Sequence, residues 1–362
     1  MKYIAPIVAI SAVAVALSGC GGQPNSRNEQ SSSAQKAITI TNCGHEVTYD
    51  HTIDKLFAND GNIISISLAA GAYDQLVAVS SLERDQDVVA LKYGDKVNQL
   101  NQVAGKYPTL ENVIAANPQM VFAGWNYGFK DDSDLNPSGL KDRGIDSYIL
   151  SESCRQEGGT SKARGTMDPW EALKNDISNI GILTGHSDEA KASIDDIEKR
   201  KEALEKAEKA ERTPVGFLFD SASDTVFSSG RFGAPQAMMD VAGVHNALSD
   251  VDDTWTKVSW EKLASSQPDI FFFVDYPPQT IAEKIQALES NPATKDLPAV
   301  KERRYVNLPY AMWTSSPLNI DGAEYIRKSL EYFKLQPESQ IEPQLDLTKL
   351  TQLEGNEWLT QR

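Results

Sequence analysis

The stretch LENVIAANPQMVFAGW, residues 110–125, recurs in outline as WEKLASSQPDIFFFVD at residues 260–275. Each copy has a glutamate near its start, a short helical pattern, a proline seven residues after the glutamate and then an apolar run. The proline ends the helix, and a continuous apolar run after it is typical of a parallel strand that is buried on both faces. Because one unit occurs twice with the same internal offset, we predict two related halves.

Further apolar runs extend this pattern along the chain. They predict buried strands at 55–58, 75–80, 147–150, 215–219 and 305–308. Helical patterns lie between most of these runs, and strands that alternate with helices favour mostly parallel sheets. The sequence therefore predicts an α/β fold of two Rossmann-like lobes, at residues 38–186 and 213–335. Residues 336–362 form a polar tail that either wraps one lobe or hangs free.

A long polar stretch, residues 187–212, separates the two lobes. Helical spacing relates five apolar residues in it, so one narrow stripe is buried and the rest is exposed to water. They are Ala190, Ile194, Ile197, Leu204 and Ala207. We therefore predict that a single long backbone helix at 187–212 connects the lobes. A free coiled-coil strand is the alternative, but the stripe is too interrupted for sustained heptads.

The first 19 residues predict an export signal. Behind Lys2, the apolar residues 4–17 would reach only about 21 Å as a helix, which is too short for a hydrocarbon core of about 30 Å. LSGC at 17–20 also resembles a bacterial lipobox, in which the signal is cut before Cys20 and the cysteine is lipidated, so that the chain stays on a membrane surface. An ordinary secretion signal is the alternative. Residues 20–37 are polar and predict a flexible tether.

The remaining cysteines and the net charge narrow the function further. With Cys20 lipidated, Cys43 and Cys154 remain for an oxidising compartment, and we expect them to form a disulfide; two free thiols are the alternative. The formal net charge of −16 makes nucleic acid an unsuitable partner, because the chain would repel the phosphates.

Aromatic residues and arginines follow the predicted strands at their carboxyl ends, where open α/β sheets bind ligands. Such a cleft suits a flat or aromatic ligand with oxygen donors, held by ring stacking and by hydrogen bonds from guanidinium groups. Trp170 and Trp260 fall in helical patterns and are expected in the core, whereas Trp255 fits either the rim or the core. The residues that we expect to bind the ligand are Arg84, Trp125, Tyr127, Arg155, Arg231, Tyr310 and Trp313.

No motif predicts a catalytic residue or a metal site. The sequence shows no glycine-rich phosphate loop, nucleophile elbow or paired metal motif. DDSDLN at 131–136 begins like a calcium loop, but Pro137 and Arg143 stand where that loop needs glycine and glutamate. We therefore expect a binding protein rather than an enzyme. A secreted hydrolase is the less favoured alternative, since only Glu152 and Asp275 are carboxylates near the expected cleft.

Several of these features, in this order, resemble the class III solute-binding proteins of ABC importers. They are the lipobox, the tether, ITNCGHEVTYD at 40–50, LAAGAYDQLVAVS at 68–80, the doubled unit and the connecting helix. The branch that carries ferric siderophores in Gram-positive bacteria is the most similar one. This likeness rests on NCG at 42–44 together with SESC at 151–154. The chain departs from the family at 64–67, where ISIS replaces the usual acidic residue before LAAG.

The resemblance implies a monomer of the helical-backbone metal-receptor type. Such a protein has a shallow cleft between its two lobes and shows little hinge motion. It implies a lipid-anchored protein on the extracellular face of the cell membrane that captures an iron–siderophore complex and delivers it to an ABC permease. The ligand carries the iron, so no cofactor and no protein metal site are expected. Haem, a corrinoid or a bare metal ion are alternative cargoes.

The family also implies one surface glutamate per lobe that pairs with arginine on the permease. By motif these residues are Glu111 and Glu261. A glutamate at the start of a helix also stabilises the helix dipole, which is the alternative role. The symmetric placement of the two favours docking. The sequence leaves the identity and charge of the siderophore and the identity of the permease open.

Overall fold

The computed structural model describes residues 37–157 and 163–360. The predicted signal peptide, Cys20 and the tether as far as residue 36 lie outside the described residues. The described residues belong to one compact unit. The predicted α/β fold with mostly parallel sheets is confirmed, while the boundaries of the two lobes stay a prediction.

The first sheet is parallel and has the strand order β5-β4-β3-β6-β7, with β8 also paired to β6. A separate antiparallel hairpin, β1-β2, precedes it. The strands are β1 (Ile38–Asn42), β2 (His45–Tyr49), β3 (Leu56–Asn59), β4 (Leu76–Ser80), β5 (Gln102–Ala104), β6 (Met120–Trp125), β7 (Gly128–Phe129) and β8 (Asp146–Ile149). The helices are α1 (Gly61–Ala69), α2 (Gln86–Tyr93), α3 (Leu110–Ala116), α4 (Pro137–Lys141) and α5 (Pro169–Thr184).

After the connecting helix α6 (Ser187–Lys206), the chain forms a second parallel sheet. Its strands are β9 (Val215–Phe219), β12 (His245–Asn246), β14 (Ile270–Asp275) and β15 (Tyr305–Pro309), in the order β12-β9-β14-β15. A small antiparallel sheet contains β10 (Ser221–Ala222), β11 (Val226–Ser229) and β13 (Trp255–Val258). The helices are α7 (Ala234–Ala242), α8 (Trp260–Ser265), α9 (Ile281–Ser290), α10 (Pro298–Lys301), α11 (Tyr310–Trp313) and α12 (Asn319–Tyr332). Short 3₁₀ turns occur at Asp95–Gln99, Ser151–Ser153, Leu347–Lys349 and Glu357–Thr360.

Both faces of each parallel sheet are covered, which explains the continuous apolar runs in the sequence. In β14, Ile270, Phe272 and Val274 join a core that extends through both halves of the chain. Phe271 and Phe273 of the same strand belong to a separate cluster. The side chains of β6 alternate in the same way. Each phenylalanine that is buried in this manner contributes about 1.5–3 kcal/mol of transfer free energy.

The doubled unit has the same backbone design in both places. Thr109 caps α3 and Ser259 caps α8, each by accepting a hydrogen bond from a backbone N–H of the first turn. After each helix, the residue before the proline has a positive φ: 47° at Asn117 and 46° at Gln267. A left-handed residue ends a helix and redirects the chain. The buried strand then follows directly in both copies.

The connecting helix is shorter than predicted, because α6 ends at Lys206 and not at residue 212. Tertiary hydrogen bonds replace helical ones beyond that point. The backbone N–H of Ala210 donates to Oε1 of Gln336 at 2.8 Å, and the carbonyl of Glu208 accepts from Nη2 of Arg327 at 2.7 Å. The apolar stripe that includes Ala207 predicted helix beyond Lys206, but long-range partners decide the conformation there.

The C-terminal tail packs against the second half of the chain. The hydroxyl of Tyr325 in α12 donates to the carbonyl of Leu345 at 2.6 Å. Asn356 accepts from the backbone N–H of Asn307 in β15 at 3.0 Å, and Trp358 is buried. Of the two alternatives that the sequence left open, the tail therefore adopts the wrapped one as far as it is described.

The expected disulfide between Cys43 and Cys154 is present. It connects the turn of the β1-β2 hairpin to the segment that follows β8. The two cysteines are 111 residues apart in sequence. In the chain-entropy model, a bridge that closes so long a loop stabilises the fold by at most about 4–5 kcal/mol, because it restricts the unfolded chain.

We expect reduction of this bridge to lower the free energy of unfolding by up to about 4–5 kcal/mol. Urea unfolding followed by far-UV circular dichroism, with and without reductant, measures the change. The Cys43→Ser/Cys154→Ser double variant is the control, since reductant should not alter its unfolding midpoint. If the unmodified protein also shows one midpoint under both conditions, the bridge contributes nothing to stability.

Candidate functional site

A cavity of about 290 Å³ lies where the carboxyl ends of the two parallel sheets meet. We call it the inter-sheet cavity. Its lining comes from the segments after β5, β6, β8, β9, β14 and β15, and from the small antiparallel sheet. The lining residues are Tyr107, Asn126, Tyr127, Arg164, Asp220, Ser221, Phe227, Trp255, Tyr276, Pro277, Pro278 and Tyr310.

Aromatic rings form most of the cavity wall. The ring centroids of Tyr276 and Tyr310 are 4.7 Å apart, and those of Phe227 and Trp255 are 6.0 Å apart. Tyr276 and Tyr310 come from the ends of neighbouring strands, so sheet pairing fixes their separation. Paired rings of this kind offer flat, weakly polar surfaces for stacking.

Arg84 lies behind these rings and is already paired. Its guanidinium carbon is 5.0 Å from the ring centroid of Tyr276 and 4.5 Å from that of Tyr310. The guanidinium contacts the buried carboxylate of Asp60, and its Nε lies 3.3 Å from Oδ2 of Asp85. Burial raises the pKa of Asp60 and raises that of Asp85 to about 7, although Arg84 opposes both changes. The guanidinium of Arg84, which was expected to bind the ligand, is therefore already paired with carboxylates of the protein.

Asp60 occupies a special backbone position beside this arginine. It has a φ of 86°, which a non-glycine residue rarely adopts. Its carboxylate accepts a hydrogen bond from the backbone N–H of Gly61 at 3.0 Å, at the start of α1. A Cβ on Gly61 would lie 2.5 Å from the Asp85 side chain. The NDGN sequence at 59–62 thus allows two carboxylates to approach one arginine.

A second cavity of about 480 Å³ adjoins the first and shares Tyr107, Asn126 and Arg164 with it. We call it the outer cavity. Trp125 and Arg155 line it, and the guanidinium carbon of Arg155 is 3.7 Å from the centroid of the Trp125 ring. Arg155 also donates two hydrogen bonds to Asp131, at 2.8 and 3.0 Å. One face of Trp125 is therefore covered by a paired cation.

Four of the seven predicted ligand residues line these two cavities, and Arg84 lies behind them. Tyr127 and Tyr310 line the inter-sheet cavity, while Trp125 and Arg155 line the outer one. Arg231 is not among the lining residues of either. Its side chain is 49% exposed and lies 2.5 Å from Asp252, and its guanidinium stacks on Phe232.

The prediction that Trp313 lies in the cleft is wrong. Its side chain is fully buried. The indole Nε1 donates to the carbonyl of Phe273 at 3.1 Å, and the ring packs against Phe272. Residues 310–313 form the short helix α11 and not an open loop, and this helix turns Trp313 into the core of the second half.

Sequence reasoning missed several lining residues, above all Tyr107, Phe227 and Tyr276. The rule used for the other strands would have found Tyr276, since it directly follows β14 and precedes two prolines. Phe227 and Trp255 lie in the antiparallel strands β11 and β13, which that rule does not cover. Trp255 is both rim and core: it lines the cavity and is only 7% exposed.

The carboxylate of Glu152 connects the two halves beneath the cavity. Its Oε1 accepts from the backbone N–H of Ala234 at 3.1 Å, and its Oε2 accepts from that of Ser315 at 3.0 Å. Both donors belong to the second half of the chain. Burial raises the pKa of Glu152, while these two hydrogen bonds and the nearby Arg164 lower it. Asp85 makes a similar link, because its Oδ1 accepts from the backbone N–H of Ala311 at 3.1 Å.

Glu111 and Glu261 occupy the first turns of α3 and α8, at equivalent places in the doubled unit. Both side chains are exposed. Hydrogen bonds from their own backbone N–H groups, and from Thr109 and Ser259 respectively, lower the pKa of each. Both glutamates are therefore charged and accessible at neutral pH.

Two general properties complete the description of residues 37–157 and 163–360. No group of three or more histidine, cysteine, aspartate or glutamate side chains in these ranges is placed to hold a metal ion. None of the helices there is both long and apolar enough to span a membrane.

The chain is similar to known proteins in its sequence family and in its fold. The family model described as "Periplasmic binding protein" matches residues 60–311. A periplasmic binding protein from Veillonella parvula has a TM-score of 0.67 at 17% identity, covering 81% of this chain and 97% of that one. An ABC-type Fe³⁺-hydroxamate transport system protein from Saccharomonospora viridis has 0.64 at 20% identity, with coverages of 81% and 98%. A periplasmic heme binding protein from Pseudomonas aeruginosa has 0.59 at 19% identity, with coverages of 80% and 96%. At these identities the likeness shows the fold alone, and no curated protein matches the sequence.

We expect Glu152→Gln to loosen the link between the halves, because an amide has one acceptor oxygen and leaves a backbone N–H of Ala234 or Ser315 unpaired. The free energy of unfolding should fall by about 1–3 kcal/mol. Hydrogen exchange measured by mass spectrometry should become faster in the segments that contain Ala234 and Ser315.

Asp176→Asn is the matched control. Asp176 is equally buried, but it accepts from the hydroxyl of Tyr148 and the backbone N–H of Ser151, both in the first half. Its substitution should change exchange near Ser151 and leave the second half unaffected. Unchanged exchange at Ala234 and Ser315 in Glu152→Gln would contradict the assigned role.

Proposed function

This chain belongs to the periplasmic binding protein family, whose model spans residues 60–311, and on that premise we propose that it captures an iron–siderophore complex and delivers it to an ABC permease. The observation that carries the proposal is the aromatic cavity between the carboxyl ends of the two sheets. Its rings come from both halves of the chain. A ligand seated there contacts both halves at once.

The size and chemistry of the site suit an organic chelate. Ligand pockets typically enclose about 300–1,000 Å³ and combine apolar walls with a few placed polar groups. The inter-sheet cavity has a volume of about 290 Å³ and continues into the outer cavity of about 480 Å³. Tyr107, Tyr276 and Trp255 offer ring surfaces, and Asn126 and Ser221 offer hydrogen-bonding groups. In this proposal the iron stays within the chelate and the protein supplies no metal ligand.

The structural neighbours support this kind of cargo. One belongs to an Fe³⁺-hydroxamate transport system and another binds heme. Haem and corrinoids are also flat organic chelates that an aromatic cavity can stack. We place the iron–siderophore complex first, because NCG at 42–44 and SESC at 151–154 match the siderophore branch and carry the observed disulfide.

The proposed location follows from the amino terminus. Residues 1–19 read as an export signal, and Cys20 lies in a lipobox-like LSGC. We propose that Cys20 is lipidated and holds the protein on the extracellular face of the cell membrane, with residues 20–37 as a tether. The disulfide supports an oxidising compartment, since such bridges rarely persist in the cytosol.

The proposed permease contact uses Glu111 and Glu261. They are exposed, charged and equivalent in the doubled unit, so a partner with arginines on two related subunits can meet both in the same way. In this proposal the exposed carboxylates guide docking, and the cavity holds the cargo.

We expect ferric chelates to quench the tryptophan fluorescence of the protein, because Trp125 and Trp255 line the two cavities. Tyr276→Ala should weaken the affinity for the best chelate by about tenfold or more, since it removes a stacking surface. Tyr332→Ala is the control: Tyr332 is 37% exposed and lines neither cavity, so its loss should not alter affinity. If a folded sample shows no response to ferric hydroxamates, ferric catecholates, haem or cobalamin, the proposed cargo is refuted.

We expect Glu111→Ala/Glu261→Ala to reduce chelate uptake in cells while chelate affinity in solution stays unchanged. Uptake of radioactive iron chelate and fluorescence titration measure the two properties separately. The matched control is Glu202→Ala/Glu205→Ala on α6, which removes the same charge from another exposed surface. Equal uptake in the docking variant and the control would show that the two glutamates do not contact the permease.

A further inference from the structure

From the charges around the two cavities we infer that the site selects chelates without net negative charge, that is, neutral or cationic complexes. This inference rests on the proposed function and names the class of its ligand. It reverses the expectation that guanidinium groups bind the oxygen donors of the ligand. The cations near the two cavities are engaged by groups of the protein itself.

Arg84 is the first of these cations. It is enclosed by Asp60 and Asp85 on one side and by the rings of Tyr276 and Tyr310 on the other. Its side chain is only 19% exposed. An anionic ligand would have to displace a buried carboxylate in order to reach this guanidinium, which would leave a buried charge without a partner.

Arg164 lines both cavities, but its hydrogen bonds point into the protein. Its Nη2 donates to the carbonyl of Trp255 at 3.2 Å, and the carboxylate of Glu152 lies close enough to interact with its charge. The residue is 8% exposed. Arg164 is therefore mostly buried, and its interaction with Glu152 offsets part of its charge.

Most of the charges of the outer cavity face an opposite charge. Arg155 makes its two hydrogen bonds to Asp131 and covers Trp125. Lys130 and Asp132, both exposed, carry opposite charges on the same lining. With Arg164, this lining carries three cations and two carboxylates, so its surplus is a single cation, and Arg164 is largely buried.

The remaining charges make the surroundings negative. Asp220 lines the inter-sheet cavity, and Lys284 is near it but donates its hydrogen bonds to the carbonyls of Val274 and Tyr276. By formal charge the carboxylates around the two cavities outnumber the cations: Asp60, Asp85, Asp131, Asp132, Glu152, Asp220 and Asp275 against Arg84, Lys130, Arg155, Arg164 and Lys284. Burial raises the pKa of several of these carboxylates, that of Asp85 to about 7, so the surplus of negative charge at neutral pH is smaller than this count. The formal net charge of the whole chain, −16, adds long-range repulsion of anions.

The test uses one chelate in three charge states. Ferrioxamine B carries an ammonium group on a neutral ferric trihydroxamate core, its N-acetyl derivative is neutral and its N-succinyl derivative is anionic. The iron centre is the same in all three. We expect affinity to fall by about fivefold at each step from cation to anion at low salt. The differences should shrink as salt is added.

Two variants that remove the same charge separate a local effect from a general one. Asp220→Asn lies in the cavity lining and should bring the affinities for the acetyl and succinyl derivatives closer together. Asp224→Asn lies on the exposed β10–β11 turn and should leave their ratio unchanged. Melting curves confirm that both variants fold. Asp132→Asn on the outer lining provides the same test if Asp220→Asn does not fold.

Each result has a defined meaning. The order cation, neutral, anion, with a smaller contrast in Asp220→Asn, supports the inference. Equal or tighter binding of the succinyl derivative overturns the inference and leaves the proposed function intact. Preference for ferric enterobactin, a trianionic catecholate complex, does the same, whereas preference for haem over every siderophore refutes the proposed cargo. If none of these chelates nor cobalamin binds, the proposed function itself fails, and this inference fails with it.

Discussion

The site depends on one buried carboxylate, that of Glu152. This carboxylate accepts hydrogen bonds from the backbone N–H groups of Ala234 and Ser315. A charge removed from water must be paired and hydrogen-bonded, or it destabilises the fold. Both of these donors belong to the second half of the chain, so the two sheets must meet for the carboxylate to be hydrogen-bonded in this way. The disulfide at Cys154 fixes the segment that carries it. The position of the cavity therefore follows from a local electrostatic requirement.

The same link explains why the aromatic wall is preformed. Tyr276 and Tyr310 are held by the pairing of β14 with β15, and Asp85 of the first half accepts from Ala311, next to Tyr310. Arg84 then packs between Asp85 and both rings. Rings that are ordered before binding lose little entropy when a ligand arrives. A site of this kind gains affinity from stacking without a large closing motion.

The sequence predicted the strands well, because continuous apolar runs such as 270–274 mark strands that are buried on both faces. It predicted less of the site, because a side chain after a strand can turn either way. Tyr310 faces the cavity, whereas Trp313, three residues later, turns into the core with α11. Charge pairing was also hidden, since Arg84 and Asp60 are 24 residues apart, as are Arg155 and Asp131. No local pattern reports such partners.

The two copies of the doubled unit differ in a way that fits these roles. Their beginnings are alike: a capping Thr109 or Ser259, a glutamate in the first turn, and a left-handed residue before the proline. Their ends are not, since β6 ends in Trp125 and β14 ends in Asp275. The common beginning maintains the backbone and presents the same charge twice, as suits a partner with two related subunits. The different ends lead to unlike linings: Trp125 lines the outer cavity, whereas Tyr276, directly after Asp275, lines the inter-sheet cavity. The duplicated frame and the single asymmetric site are therefore compatible, because different segments of the unit serve them.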